Sequence, residues 1–256
     1  MYPYIKIFDF SIPSYGLCLT VAILLCSFLY INKARNFGLK VEDLIIVTAI
    51  SVGTGLLFGG VLYIIVTYSI EDLFYFIKNG DLSFIKNTGL VFFGGLIGGI
   101  IGAIISAKML KIKIEVLEKC VVPYIPLGHS IGRIGCLMAG CCYGFEYNGF
   151  LAVKNSFHPE NTYFPTQAVE SALNIIIMLF LLLYTKKGRA KYNVLCTYLI
   201  MYSTIRFSLE FLRGDEIRGV YFDLSTAQWI SIIIFLFVLL KIIFSPKQRK
   251  VLPKAK

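Results

Sequence analysis

The chain has 256 residues, of which 57% are hydrophobic and 16% are charged, and its formal net charge is +10 at pH 7. Because roughly a quarter of the residues of a soluble domain are charged, this composition excludes an ordinary soluble protein and indicates one that crosses a membrane several times. The positive charge does not indicate a nucleic-acid surface, since most lysines and arginines lie in short clusters beside apolar runs, where they set membrane topology.

Long apolar runs recur along the whole chain, and a helix needs about 20 such residues to cross the hydrocarbon core of a bilayer. They predict an all-α integral membrane protein, a bundle of seven transmembrane helices that forms a single polytopic domain over residues 1–256. No small-residue cleavage site follows the first run, so it is predicted to remain as a span. The predicted spans are residues 14–31, 44–68, 89–110, 116–142, 168–184, 192–211 and 224–244.

The fourth predicted span differs from the others, because Pro123, Pro126 and a series of glycines interrupt it. Proline removes a backbone hydrogen bond inside a helix. We therefore expect this span to be broken or partly re-entrant. Irregular backbone of that kind is tolerated at membrane depth only where protein or a water-filled cavity surrounds it.

Clusters of basic residues decide the orientation of the predicted bundle. They follow the first, third, fifth and seventh spans, whereas the loops around residues 69–88, 143–165 and 212–223 mix acids with few bases. Loops rich in lysine and arginine remain in the cytoplasm under the positive-inside rule. The N-terminus is therefore predicted to lie outside and the C-terminus in the cytoplasm.

Polar residues of the predicted spans lie toward the outer leaflet in this orientation, which predicts one shared site there. An ionisable side chain at membrane depth is costly, so Arg133 is expected to face a protein interior or a wet cavity and to meet an anion. Arg206 and Glu210 are four residues apart and share a helix face, where they pair either within the site or only to fasten the helix. The converging residues are Tyr15, Gly16, Phe93, Gly94, Gly95, Leu96, Arg133, Pro165, Thr166, Gln167, Arg206, Glu210 and Gln228.

Three of the seven cysteines, Cys136, Cys141 and Cys142, lie close to Arg133 in the sequence. Their spacing does not match the C-x2-C pairs of zinc sites, and no second Cys/His pair follows at a suitable distance. The sequence therefore predicts a packing role for them and no metal or cofactor.

The segment from Gly128 to Gly144 reads GHSIGRIGCLMAGCCYG and resembles the signature of the prolipoprotein diacylglyceryl transferases. Other segments resemble parts of the same family in the expected order, so the resemblance covers residues 15 to about 231, nearly the whole chain. The signature residues that match are Gly132, Arg133, Gly135, Gly140 and Gly144. The other segments are the Tyr15-Gly16 pair, the Gly94-Gly95-Leu96 triplet, Pro165-Thr166-Gln167 with Glu170, and the stretch from Arg206 to Asp215.

The resemblance implies a bacterial enzyme of the cytoplasmic membrane with its active site toward the outer leaflet. Such an enzyme moves the diacylglyceryl group of phosphatidylglycerol onto the lipobox cysteine thiol of a prolipoprotein, which forms a thioether and releases glycerol phosphate. This is the first step of lipoprotein maturation. Its partners are phosphatidylglycerol, prolipoprotein signal peptides and membrane lipids, with no nucleic acid.

The reaction also suggests roles for individual residues. Arg133 and Arg206 suit the leaving phosphate, because a planar guanidinium makes paired hydrogen bonds to phosphate oxygens. Glu210 is expected to orient Arg206 or to accept the thiol proton. His129 is a candidate base, although a packed, hydrogen-bonded histidine fits equally well. Substrate contacts are expected from Tyr15, Gly94, Gly95, Arg133, Gln167 and Arg206.

The chain departs from the family pattern at several polar positions. Phe93 replaces the histidine that usually precedes the glycine triplet, while Cys136, Ala139 and Cys141 stand where the family has Asn or Glu. A free thiol is already a few per cent ionised near neutral pH, so a dedicated base is not strictly required. His158, in a predicted outer loop, is expected to be solvated.

Two other classes of function remain open. One is a related phospholipid-dependent transferase that uses a different thiol acceptor or lipid donor, because the family's polar groups are replaced. The other is a lipid-binding protein or a transporter, since broken helices and intramembrane charges also mark transport sites. No inverted repeat is visible in the sequence, which counts against transport.

Overall fold

The computed structural model describes residues 2–7, 10–81, 91–155, 160–186, 193–214 and 219–244. The chain is mostly helical and divides into two compact units: a larger one, Met1–Tyr30 with Glu118–Lys256, and a smaller one, Ile31–Leu117. Within the described residues, four helices are long and apolar enough to cross a membrane. These are Ser14–Arg35, Val41–Thr67, Thr166–Thr185 and Thr226–Phe244, and they confirm a helical membrane fold.

The smaller unit is built mainly on the pairing of helix α2 (Val41–Thr67) with helix α4 (Phe92–Met109). Glycines let the two backbones touch: a Cβ added at Gly94 would lie 2.5 Å from the Phe58 carbonyl oxygen, and one at Gly98 would lie 2.4 Å from that of Thr54. The Thr54 hydroxyl donates a hydrogen bond of 2.8 Å to the Gly98 carbonyl. Small residues commonly allow this close approach between membrane helices.

A short helix, α3 (Ile70–Lys78), lies in the predicted outer loop 69–88 and was not expected from the sequence. Ser69 caps it, because its hydroxyl accepts a 3.1 Å hydrogen bond from the Asp72 amide while the Asp72 carboxylate accepts from the Ser69 amide at 3.0 Å. These reciprocal bonds satisfy donors that a helix start leaves open. Hydrogen bonds from Ser69 also lower the pKa of Asp72, since they stabilise its charged form.

The larger unit begins with an antiparallel hairpin of β1 (Tyr4–Ile7) and β2 (Phe10–Pro13). Helix α1 (Ser14–Arg35) follows directly, and its first residue donates a backbone hydrogen bond of 2.9 Å to the Pro3 carbonyl. The hairpin therefore fixes where the first apolar helix begins.

The predicted fourth span is broken, as expected from its prolines. Helix α5 (Ile114–Val121) leads into a 3-10 turn at Val122–Tyr124, and helix α6 (Ile125–Ala139) follows. Cys26 donates a hydrogen bond from its thiol to the Tyr124 carbonyl at 3.3 Å. That contact supplies part of the protein surroundings that irregular backbone needs at membrane depth.

Three further helices complete the described part of the larger unit: α7 (Thr166–Thr185), α8 (Val194–Leu209) and α9 (Thr226–Phe244). A 3-10 turn at Glu210–Leu212 extends α8. Short hairpins lie between the helices: β3 (Val153–Lys154) pairs with β4 (Thr162–Tyr163), and β5 (Val220–Tyr221) pairs with β6 (Leu224–Ser225). The hydrophobic core of this unit contains Val122, Ile177, Leu181, Val194 and Tyr198.

Candidate active site

Charged side chains from α6, α7 and the end of α8 form a continuous series of ion pairs. Glu170 lies between two arginines, with its Oε2 at 3.0 Å from Arg133 Nε and 3.9 Å from Arg206 Nη1. Glu210 Oε2 lies 2.7 Å from Arg206 Nη2 and 3.7 Å from Arg213 Nη1. Each of these side chains is at most 20% exposed. The arrangement explains how strongly charged groups are accommodated inside an apolar protein.

The local sequence positions these groups in different ways. Arg206 and Glu210 are four residues apart across the junction of α8 with its 3-10 turn, so the predicted pairing of the two is confirmed. Glu170 lies in the second turn of α7, close to the N-terminal end of a helix, where the backbone dipole favours a carboxylate. One acidic side chain from α7 thus meets basic side chains from α6 and α8.

The ion-pair series contains three arginines, Arg133, Arg206 and Arg213, and two carboxylates, Glu170 and Glu210. Arg206 Nη1 is buried and has no hydrogen-bond partner among the described residues. Leaving a buried donor without a partner costs about 1–3 kcal/mol. A buried guanidinium with an open donor is typical of a site that receives an anion.

His129 lies one helical turn before Arg133 on α6. Its Nδ1 is 2.9 Å from the Tyr198 hydroxyl, and its ring centroid is 4.9 Å from that of Tyr202. Tyr198 is itself buried. Of the two hypotheses for His129, this geometry favours the packed, hydrogen-bonded histidine, and its role as a base stays a prediction.

Gln167 connects α7 to the backbone that follows α6. Its side chain is buried, and its Nε2 donates a 2.7 Å hydrogen bond to the Cys141 carbonyl. Its Oε1 has no hydrogen-bond partner in the part of the chain that the structure describes. This oxygen is therefore an acceptor that a substrate hydroxyl can use.

Two signature glycines allow close contacts around the arginine site. A Cβ at Gly135 would lie 3.0 Å from Cys18 Cβ and 3.2 Å from Tyr15 Cδ2, so the start of α1 packs directly against α6. A Cβ at Gly144 would lie 2.6 Å from the Phe164 carbonyl oxygen, and this glycine forms an isolated β-bridge with Arg213. Tyr15 is thereby placed beside α6, as the prediction of a site contact requires.

The three cysteines near Arg133 form a cluster, with their sulfur atoms all within 4.8 Å of one another. Gly140 ends α6 with a φ of 78°, and Cys142 has a φ of 61°, so the chain turns sharply and brings Cys141 and Cys142 back toward Cys136. Non-glycine residues seldom adopt positive φ values. The Asn155 side chain donates a 3.0 Å hydrogen bond to the Gly140 carbonyl and supports this turn.

Gly94 and Gly95 belong to the smaller unit, where Gly94 is a contact point between α4 and α2. Their part in substrate binding stays a prediction. The Phe93 side chain and His158 lie outside what the structure describes.

Two charged residues of the site were not assigned a role from the sequence. In the sequence, Glu170 belongs to the family-like segment with Pro165-Thr166-Gln167, and Arg213 belongs to the stretch from Arg206 to Asp215; neither segment by itself gives these residues a role. Arg206, Glu210 and Arg213 are spaced at i, i+4 and i+7, which is a helix-face pattern that indicates Arg213 as a third member. No comparable local pattern connects Glu170 to either arginine.

Comparisons with known proteins agree on one family. A family model described as prolipoprotein diacylglyceryl transferase matches residues 3–244. The chain is 35% identical over 236 residues to phosphatidylglycerol–prolipoprotein diacylglyceryl transferase 2 of Clostridium perfringens, covering 90% of each chain. It is 33% identical over 240 residues to phosphatidylglycerol–prolipoprotein diacylglyceryl transferase of Clostridium tetani, covering 91% of this chain and 94% of the other. A third relative, from Clostridioides difficile, is 28% identical over 231 residues, 89% of this chain and 88% of the other.

Proposed function

The chain belongs to the prolipoprotein diacylglyceryl transferase family, and we propose that it transfers the diacylglyceryl group of phosphatidylglycerol to the lipobox cysteine of prolipoproteins. It is a bacterial membrane enzyme of the transferase class. One observation carries the proposal. Arg206 Nη1 is a buried donor without a hydrogen-bond partner among the described residues, and it lies beside Glu170, which pairs with Arg133. Both arginines lie in segments that resemble family motifs.

In the proposed reaction, the thiol of the acceptor cysteine loses its proton to water, and the resulting thiolate attacks the glycerol carbon next to the phosphate. A carbon–sulfur bond forms, the carbon–oxygen bond breaks, and its electron pair stays on the phosphate oxygen of the departing glycerol phosphate. Negative charge on the phosphate therefore grows as the reaction proceeds. Arg133 and Arg206 are suited to stabilise that charge, because preorganised donors in a poorly hydrated site act most strongly where charge develops.

The carboxylates act as positioning residues in this proposal. Glu170 holds Arg133 through Nε and lies beside Arg206, which lowers the repulsion between two guanidinium groups that must face one phosphate. Glu210 holds Arg206 through Nη2, which leaves Nη1 for the ligand. Each guanidinium thus keeps a fixed orientation before substrate arrives.

Further roles are proposed for individual residues. We propose that Gln167 Oε1 accepts a hydrogen bond from the glycerol head group, because it is a buried acceptor without a partner among the described residues. Tyr15 is proposed to line the site from α1, and the part of Gly94 and Gly95 in substrate binding stays a prediction. His129 is proposed to support α6 through its hydrogen bond to the Tyr198 hydroxyl, and its role as a base stays a prediction.

We further propose the seven-span topology, with the N-terminus outside, the C-terminus in the cytoplasm and the site toward the outer leaflet. The site lies at the C-terminal ends of α6 and α8 and the N-terminal end of α7. In consecutive antiparallel spans these three ends share one side of the membrane, which supports a single depth for the site. Cysteines introduced in loop 69–88 and near the C-terminus should be labelled from opposite sides, and labelling from the same side contradicts this topology.

A direct assay separates the functions that the sequence left open. Purified protein is incubated with labelled phosphatidylglycerol and a lipobox peptide, and the thioether product is measured by mass spectrometry. We expect product with this pair. Product only with another thiol or lipid would indicate the related transferase, and lipid binding without product would indicate a lipid-binding or transport protein.

A further inference from the structure

The cysteine cluster has chemistry that the arginine site does not use. Cys136 is buried, Cys142 is half-buried and Cys141 is exposed, so the cluster runs from the interior of α6 to an accessible surface. Its sulfur atoms are within 4.8 Å of one another. Three sulfurs bound to one Zn²⁺ at about 2.3 Å in tetrahedral geometry are about 3.8 Å apart. Small side-chain rotations would bring the three sulfurs to that separation.

A guanidinium group lies next to the cysteine cluster. Arg133 Nη1 lies 3.9 Å from Cys136 Sγ, so a positive charge stands beside the sulfurs. Three thiolates around a divalent cation carry a net charge of about −1, which this guanidinium offsets. The backbone is held from outside as well, because Gln167 donates to the Cys141 carbonyl and Asn155 to the Gly140 carbonyl. These two hydrogen bonds hold the turn that carries Cys141 and Cys142.

We propose that Cys136, Cys141 and Cys142 bind one soft divalent cation of the Zn²⁺ type and leave a fourth position open for the thiol of the acceptor peptide. The proposal deepens the proposed function, on which it rests, by assigning the step that activates the acceptor. Zinc sites with three protein ligands and an open position are typical of catalytic centres, whereas closed four-ligand sites are structural. Zinc and thiolates also match in softness.

In the family pattern, the histidine before the glycine triplet is expected to activate the acceptor thiol. Phe93 replaces that histidine here, and the metal site would activate the thiol instead. An acceptor thiol that takes the fourth position loses its proton to water, since a coordinating thiol is deprotonated outright. The bound sulfur then attacks the glycerol carbon, the carbon–oxygen bond breaks, and glycerol phosphate leaves with the bonding electrons toward the arginines. The neutral thioether is a poorer ligand than the thiolate, so product release reopens the position. No oxidant or reductant is needed.

The proposal replaces the packing role that the sequence predicted for these cysteines. That prediction compared their spacing with C-x2-C zinc motifs, which place two ligands one short turn apart. Here the left-handed turn through Gly140 and Cys142 brings the ligands together instead.

The first test measures metal binding without any reaction. The full-length protein is purified in detergent under reducing conditions, its zinc content is measured, and Co²⁺ uptake is followed through the thiolate-to-metal absorption band. We expect about one metal per chain and loss of the band in Cys136→Ser, Cys141→Ser and Cys142→Ser. Cys26→Ser is the matched control, because serine can keep its hydrogen bond to Tyr124, and it should retain the band. Cys141→Ser carries the least risk of misfolding, since Cys141 is exposed.

The second test asks whether the acceptor binds at the metal. Adding a lipobox peptide to the Co²⁺-loaded protein should shift the absorption band, and the same peptide with serine in place of cysteine should not. A chelator should slow transfer to the cysteine peptide by roughly tenfold or more, with recovery on adding Zn²⁺.

Transfer at an undiminished rate in metal-free protein overturns the metal proposal and leaves the transferase function standing. A disulfide between these cysteines, with no metal uptake after reduction, also overturns it. Failure of transfer under every condition, with the peptide-dependent shift intact, counts against the proposed function and supports the metal site.

Discussion

Two helix contacts in this protein are held together by opposite means. In the smaller unit, α2 and α4 meet through glycines whose missing side chains let the backbones touch. In the larger unit, α6, α7 and α8 meet through charged and hydroxyl side chains, with Glu170 between two arginines and Ser130 hydrogen-bonded to Ser171 at 2.7 Å. Close packing needs only shape, whereas buried charges cost free energy unless they are paired. The costly contact is therefore the one expected to carry chemistry.

The largest effect is expected from replacing the arginines of the charged contact. Arg133→Lys and Arg206→Lys keep the charge but lose the planar fork, so turnover should fall by about a hundred to a thousand fold, or roughly 3–4 kcal/mol. Turnover and phosphatidylglycerol binding are measured separately to distinguish lost catalysis from lost affinity. Arg35→Lys, at the end of α1, is the control. Near-normal transfer in both site variants would mean that these arginines only hold the helices together.

A smaller effect is expected from the carboxylates that orient those arginines. Glu170→Gln removes the charge between two guanidinium groups and should cost about 1.5–3 kcal/mol, or roughly ten to a hundred fold in turnover. Glu210→Gln should cost less, because Arg206 keeps Glu170 nearby. Glu42→Gln, exposed in the first turn of α2, is the control. A larger loss at Glu210 than at Glu170 would indicate that Glu210 accepts the thiol proton.

Substitutions at the glycine contact between α2 and α4 should change the stability of the protein and not its turnover. Gly98→Ala places a Cβ 2.4 Å from the Thr54 carbonyl oxygen and should lower the free energy of unfolding by about 1–3 kcal/mol. Gly53→Ala in α2, where nothing lies within 4 Å of the added Cβ, should be neutral or slightly stabilising. Thermal unfolding in detergent measures both. Equal effects would show that close packing does not hold this pair.

The smallest effect is expected at the hydroxyl pair of the larger unit. Ser171→Ala removes two hydrogen bonds to Ser130, one with its hydroxyl and one to its carbonyl, and should cost about 1 kcal/mol, since such bonds between membrane helices average about 0.6 kcal/mol each. Turnover should be unchanged, because neither serine belongs to the ion-pair series. Ser208→Ala is the control, since its exposed hydroxyl donates to the Thr204 carbonyl of its own helix. A loss of activity would place Ser171 within the functional site.

The sequence alone determined the features that depend on local spacing. Apolar runs of sufficient length predicted the long helices, and the proline at position 123 predicted the break that the 3-10 turn at Val122–Tyr124 now shows. The four-residue spacing of Arg206 and Glu210 predicted their ion pair. In each case the geometry of a single helix relates neighbouring residues, so no distant contact is needed.

Only the tertiary structure decided which helix faces meet. Glu170 reaches Arg133 and Arg206 from a different helix, and His129 meets Tyr198 across 69 positions of the chain. The cysteine cluster depends on a left-handed turn that brings Cys141 and Cys142 back to Cys136. Such contacts depend on how each helix is rotated about its own axis and where the chain reverses. Those quantities are set by the packing of all the helices together, so no local pattern of residues encodes them.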